Sequence, residues 1–482
     1  MSTTNIIFIF ADQLRHDFLR CYGADFIETP NIDGIAARGV TYEKAYSPTP
    51  ICVPARASLL TGCNSIKNGV MDNDHWLRDD LAACGINTWP ELLSGGGYYT
   101  AAIGKMHFYP WDRGHGFAYR VIAEDKRWIK IRDDYYKHLR GHGERKYHGN
   151  EHEHYLENKG AIVSRLPHEL SVDHFVGSEA VNFIDRYGND GPFALMVGFP
   201  GPHCPYDPCV EYLERVRQDK MLKPIPNDDT SEKLRRMQIA GNKMPWNGVD
   251  LTEFTYEQQM RCRKHYAALV AQIDDEVGAI LESVWRSGLE DKTAIIFTSD
   301  HGDLLGDHGL ISKGNYYEGS SHVPLIVRLP NMTEAKRCDQ LVSLNDVTAT
   351  IAALAGIARP PYFDCTPLPE LGLCRDNYDL LFGAMRNCWF VTDGRFKMTR
   401  FMDGDAHLFD LQNDPKERDN LYGNPAFEEK YKWLDSALAA YVMNSINLAN
   451  SDKIVDVSTT LWNSDHYAKQ NVPRIYPTPY HY

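Results

Sequence analysis

The sequence predicts an α/β protein: a large, doubly wound, mostly parallel sheet between helices, followed by a smaller α+β domain. Three observations carry this reading. Apolar runs of strand length lack polar alternation, helical patterns separate them, and the pattern changes to short strands from about residue 376.

The first such run, Ile6 to Ala11, stops at Asp12. A second, around Tyr99 to Gly104, leads into Lys105 and His107. The third, Phe193 to Phe199, leads to His203, and the fourth, Thr293 to Ser299, to Asp300 and His301. Continuous apolar runs fit strands buried on both faces. The clearest helix covers about Tyr256 to Ser287, with Tyr266, Leu269, Val270, Ile273, Val277, Ile280 and Leu281 at helical spacing and Gly288 where a C-terminal cap falls. In doubly wound sheets, ligands bind beyond the carboxyl ends of the strands. Every candidate polar group lies at such an end, so the candidates are expected to form one site.

Two regions depart from the alternation. Residues 118–170 are rich in His, Arg, Lys, Asp and Tyr without a clear period. They read as an insertion within a catalytic domain of residues 1–375, lidding a pocket or touching a neighbouring subunit. Residues 376–482 read as a small domain with strands around Trp389 and Phe396 and a helix near Phe427 to Met443. The polar stretch from about residue 450 reads as an arm that docks on another subunit, so a homo-oligomer is expected.

Bulk properties narrow the function. The 482 residues exceed one simple core, and 43% hydrophobic with 24% charged residues is ordinary for a globular protein. A net charge of -14 argues against a nucleic-acid partner. No stretch reaches the ~20 apolar residues of a membrane span, and the first apolar run is too short for a secretory signal. The 11 cysteines are odd in number and form no CxxC pair, which fits a reducing cytoplasm.

Most of those cysteines read as small buried hydrophobes. Cys52 differs. Pro54 suits a first helical turn, and Ala57 to Gly62 reads as the helix that follows. A helix N-terminus favours negative charge, and Arg56 adds a fixed cation, so an activated thiolate or an anion site is expected.

Cys52-Val-Pro-Ala-Arg56, followed by Ala-Ser-Leu-Leu-Thr-Gly62, closely resembles the C-x-P-x-R signature of type I sulfatases. The resemblance extends collinearly. It includes Ile9 to Gln13, Thr29 to Asp33, Gly104-Lys-Met-His107, Pro202-His203 with Pro205, Ser299-Asp-His-Gly302, Lys313, and His407 to Leu411 with Asp414-Pro415. It implies an alkaline-phosphatase-like fold and conversion of Cys52 to formylglycine by a formylglycine-generating enzyme. The hydrate would give one oxygen to a divalent metal held by Asp12, Asp300 and His301, while the other attacks sulfur.

The resemblance also implies roles for the remaining groups. Arg56 holds the hydrate and Lys105 binds sulfate oxygens. His203 and Lys313 face the leaving oxygen, one of them as general acid, and His107 acts as base in the step that frees sulfate. Two departures qualify the pattern: many sulfatases carry a second aspartate at Gln13 and an asparagine at His301. Gln13 offers an amide oxygen to the metal or sits just outside it. An imidazole ligand moves the preference from calcium, the first expectation, toward manganese or zinc, with manganese the next expectation.

The Asp-Gln and Asp-His pairs also occur in choline-sulfatase-like enzymes and phosphonate monoester hydrolases of the same superfamily. The latter carry tyrosine and threonine where this chain has Lys105 and His107, so that pair favours a small sulfated substrate over a phosphonate or phosphate ester. A binder of sulfated ligands with unconverted Cys52 is the alternative of another class. Val70 to His75 resembles a choline-sulfatase segment lining the substrate pocket, which makes Asn73 a substrate-binding candidate against an ordinary turn asparagine. His138, His142, His148, His152 and His154 fit no zinc template. Asp307 and His308 read as structural; Trp76, Trp111 and Trp128 could line a pocket, with buried packing the default for each.

Overall fold

A computed structural model describes residues 4–78, 80–244 and 247–449. The arm expected from about residue 450 lies outside the described residues. Eight strands make the main sheet: β1 (Asn5–Asp12), β2 (Val40–Tyr46), β3 (Tyr99–Gly104), β4 (Tyr119–Ile122), β5 (Phe193–Pro202), β6 (Thr293–Ser299), β7 (Leu325–Arg328) and β8 (Lys336–Ser343). Their order is β4-β3-β5-β1-β6-β7-β2-β8, and only β7 runs against the others.

The apolar runs are continuous because both faces of the sheet are covered. On β1, Ile7 and Ile9 pack on one side against α2 (Val172–Tyr187) and α3 (Tyr256–Arg286). Ile6, Phe8 and Phe10 pack on the other, against α1 (Cys52–Thr61) and α4 (Asp346–Leu354). Helix α3 begins with a capping box of Thr255 and Gln258 and ends before Gly288, whose φ of 68° suits glycine.

The segment at 118–170 differs from the expected insertion. It opens with β4, an edge strand of the main sheet, paired with β3. Four residues with one half-buried end leave no continuous apolar run for a sequence pattern to reveal. Beyond β4 the segment contains a helix at Asp134–Gly141 and short turns.

A four-stranded antiparallel sheet follows: β9 (Leu381–Met385), β10 (Cys388–Thr392), β11 (Phe396–Phe401) and β12 (Ala406–Asp410). Helix α5 (Glu428–Ala449) covers one face through Leu434, Leu438 and Val442, against Val391, Met398 and Leu408. The other face meets the main body, where Phe390 stacks on Tyr316 at 4.6 Å. No helix among the described residues is long and apolar enough to cross a membrane. The cysteines all carry free thiols.

His407 lies on the face of this sheet that meets the main body, against Phe401 and Phe409. Burial pushes its imidazole down from 6.5 to about 4. The proton therefore binds the unfolded chain more tightly. The contribution is complete above about pH 6.5 and is lost as pH falls toward 4, by about 2–3 kcal/mol. Thermal melts across that range should show an acid decline that His407→Asn reduces; an unchanged pH slope in the variant would refute this assignment.

Candidate active site

The ends of β1, β3, β5 and β6 meet the N-terminus of α1 at one buried point. Cys52 opens α1, whose residues Cys52 to Thr61 are all buried. Its Sγ lies 3.2 Å from His301 Nε2 and 3.9 Å from Asp12 Oδ1. Arg56, one helical turn on, donates from Nη2 to Asp12 Oδ2 at 2.9 Å, from Nε to Asp300 Oδ2 at 3.0 Å, and from Nη1 to the Lys105 carbonyl at 2.8 Å. Lys105 Nζ pairs with Asp12 Oδ2 at 2.6 Å.

Donor atoms of Asp12, Cys52, Asp300 and His301 all lie within 4.8 Å of one another. The chemistry of this set fits a divalent cation. His301 Nδ1 is 3.0 Å from the Gly302 carbonyl, so it donates there and leaves Nε2 as the lone pair facing Cys52. The point is also electronegative. Burial pushes His301 down, yet the Asp300 carboxylate and the Cys52 thiol raise it above the ordinary imidazole value. Asp300 itself is raised, by burial and then by Asp12.

Around the thiol the field reverses sign. Burial pushes Cys52 up, but Lys313 and His301, then its side-chain hydrogen bonding with His107 and His203, hold it well below the ordinary thiol value. His203 donates from Nδ1 to the Cys204 carbonyl at 2.7 Å, and its Nε2 accepts from Lys313 Nζ at 2.6 Å. Burial, Lys313 and Arg127 keep this imidazole at about 4, hence neutral. His107 sits in the left-handed region at φ 59°, and its Nδ1 is buried without a hydrogen-bond partner.

The structure thus brings together Asp12, Cys52, Arg56, Lys105, His107, His203, Asp300, His301 and Lys313. Gln13 lies beside them at φ 71°, its Oε1 accepting from Lys313 Nζ and its Nε2 donating to Asp303 Oδ2. Asn73 stands in the pocket wall, where its Oδ1 accepts the Val53 N–H at 3.0 Å and so caps the first turn of α1. Asp307 pairs with Arg15 and Arg263, away from these donors.

Sequence reasoning missed Asp125, Arg127 and Asp303. Asp125 accepts from Lys105 Nζ at 3.2 Å and from Arg127 Nη2 at 2.7 Å. Both belong to the segment read as an insertion; their Asp-x-Arg spacing carries no signal by itself. Asp303 Oδ2 also accepts from Tyr206 at 2.7 Å. Trp76 packs against the core through Phe108, whereas Trp111 and Trp128 are exposed rather than buried. As the alternative reading held, all three line, with Phe108, Tyr109 and Glu124, a cavity of about 370 Å³ beside His107 and Val53.

The architecture is an alkaline-phosphatase-like fold. The phosphonate monoester hydrolase of Agrobacterium radiobacter superposes with a TM-score of 0.73 at 21% identity, over 93% of this chain and 96% of that one. The Sulfatase family model matches residues 4–357, and that of the N-sulphoglucosamine sulphohydrolase C-terminal region matches residues 306–444. An arylsulfatase of Clostridium perfringens is 30% identical over 90% of this chain and 93% of its own length. A choline-sulfatase of Rhizobium meliloti is 30% identical over 87% and 83%. The chain belongs to the sulfatase family and is a sulfuric ester hydrolase.

Asp303 acts on this site through Gln13. Asp303→Asn keeps the size of the side chain but lets an amide face the Gln13 amide, freeing the latter to flip. Turnover is expected to fall roughly ten- to a hundredfold, with a thermal midpoint close to that of the parent; undiminished turnover would exclude a positioning role.

Proposed function

We propose that the protein hydrolyses the sulfate monoester of a small alcohol or phenol, with Cys52 converted to formylglycine and one divalent cation bound. The observation that carries this reading is the convergence of Lys105 and His107 on Cys52, itself one of four side chains able to ligate a metal. Asp12, Asp300, His301 and the modified Cys52 would hold the cation, with Gln13 Oε1 at its edge; calcium is the first expectation and manganese the next. Formylglycine, as its hydrate, would supply a nucleophile activated by that cation near neutral pH.

The chain's own groups divide the remaining work. Lys105, raised above its ordinary value by Asp12 and Asp125 despite burial, stays charged and binds sulfate oxygens. Arg56 fixes the position of residue 52 relative to both carboxylates. Lys313 is the proton donor to the leaving oxygen, because His203 Nε2 is already an acceptor. His107 Nδ1 is the open proton acceptor on the opposite flank.

Cys52 is only 2% exposed in the folded chain, so a formylglycine-generating enzyme would have to meet it before the fold closes. The free thiols elsewhere support a reducing, cytoplasmic location. A homo-oligomer remains part of the proposal. The aromatic walls with Glu124 suit a flat phenol or a small cationic alcohol.

Rates on an aryl sulfate and on its matched phosphonate and phosphate esters test the reaction class. The sulfate should turn over at least about tenfold faster; a faster phosphonate would make the chain a phosphonate hydrolase in practice. Mass analysis of the Cys52 peptide from the native host should show the aldehyde, and a wholly unmodified thiol would leave only the binder reading. Chelation should abolish turnover, with calcium or manganese restoring it; full activity after exhaustive chelation would remove the cation from the proposal.

A further inference from the structure

A second cluster of metal-ligating groups lies apart from the active site, where α2 starts against α3. His168 sits in the turn His168–Leu170 just before α2, His174 in the first turn of α2, and Glu276 within α3. Both imidazoles aim at one carboxylate oxygen: His168 Nε2 is 3.1 Å and His174 Nδ1 2.9 Å from Glu276 Oε1. The three donor atoms all fall within 4.8 Å of one another.

The surroundings prepare these groups. His174 Nε2 lies 3.2 Å from Ser178 Oγ, which fixes the ring and directs Nδ1 inward. Gly177 leaves the space for the carboxylate, since a Cβ there would come within 2.3 Å of Glu276 Oε2. His168 Nδ1 is buried and has no hydrogen-bond partner. Glu276 is 3% exposed and its ion pairs are with the two histidines. A carboxylate buried this deeply calls for a cation beside it. The His174 side chain is 33% exposed, so an ion can enter from solvent.

The geometry points to a second metal site, in which His168, His174 and Glu276 bind one zinc-like divalent ion and leave its fourth position to water. Two imidazoles and a carboxylate suit zinc, cobalt or nickel rather than calcium or magnesium. Tetrahedral ligands at ~2.0–2.1 Å from zinc stand about 3.4 Å apart. The His–Glu separations of 2.9 and 3.1 Å therefore need to open by only a few tenths of an ångström. The ion would brace α2 against α3. The next residue before His174, Asp173, accepts the Gly201 N–H at 2.9 Å, so the brace reaches the turn that carries His203.

The full-length protein bearing Asp300→Asn, which cripples the catalytic donor set, provides the test with zinc alone as probe. Equilibrium dialysis should retain about one zinc per chain. Adding His174→Ala should abolish retention, and adding Glu276→Gln, which preserves a hydrogen bond to the rings, should weaken it at least about tenfold. Zinc should raise the thermal midpoint of the Asp300→Asn protein and not that of the double variants. Equal retention with and without the Glu276→Gln change, in proteins with matching circular dichroism, would overturn the site.

Discussion

The guanidinium of Arg56 lies between Asp12 and Asp300, with all three side chains shut away from water. Its remaining donor reaches the Lys105 carbonyl, and its plane rests 4.5 Å from the centre of the Phe10 ring. One side chain thus ties α1 to the ends of β1, β3 and β6. A planar fork with fixed donors can do this; an ammonium could not bond three such partners in a fixed plane. Desolvating these charges is costly, and the network is stable only with every partner present. The spacing of the site is therefore a consequence of charge pairing rather than of loop shape.

A second tier extends the same logic. Lys105 is fully buried and shares Asp12 with Arg56, while Asp125 takes its other side. Arg127 in turn holds Asp125, whose carboxyl is kept well below the usual range against the effect of burial. Carboxylates and cations alternate from the metal-ligating set outward, so positive potential is maintained where a sulfate would sit without an isolated buried charge. The wall changes character toward Trp76 and Trp128, where the leaving group would lie. Separate electrostatic and apolar walls let the reacting end and the departing end be recognised independently.

How much of this was legible in the sequence follows from what each residue signals by itself. The four strand ends were legible because burial on both faces writes an unbroken apolar run, as in Ile6 to Ala11, and the polar residue that stops the run is the one at the sheet's edge. Cys52 to Arg56 was legible as a family signature, and its electrostatic sense as a helix N-terminus. Asp125 and Arg127 were not, because they follow β4, an edge strand too short and too polar to announce itself. The tryptophans left two readings open for a related reason. An aromatic residue reports a large apolar surface but not whether protein or an open cavity covers it. Asn73 fell between the two readings, since capping Val53 and facing the pocket are compatible for one amide.

Proton positions follow from groups that can play only one role. Asp303 can only accept: Oδ2 takes the Gln13 amide and the Tyr206 hydroxyl, and Oδ1 takes the N–H groups of Leu305 and Ser312. Gln13 must then present its oxygen to Lys313. Lys313 can only donate, so His203 must offer a bare Nε2 and keep its proton on Nδ1, where the Cys204 carbonyl receives it. Each end of this chain is fixed by a group without a second option. His203 is therefore held neutral by its neighbours as well as by burial, and it serves to aim the Lys313 ammonium. In the proposed reaction the proton that would leave with the alcohol is the lysine's, and Asp303, two hydrogen bonds away through Gln13, is what would decide it.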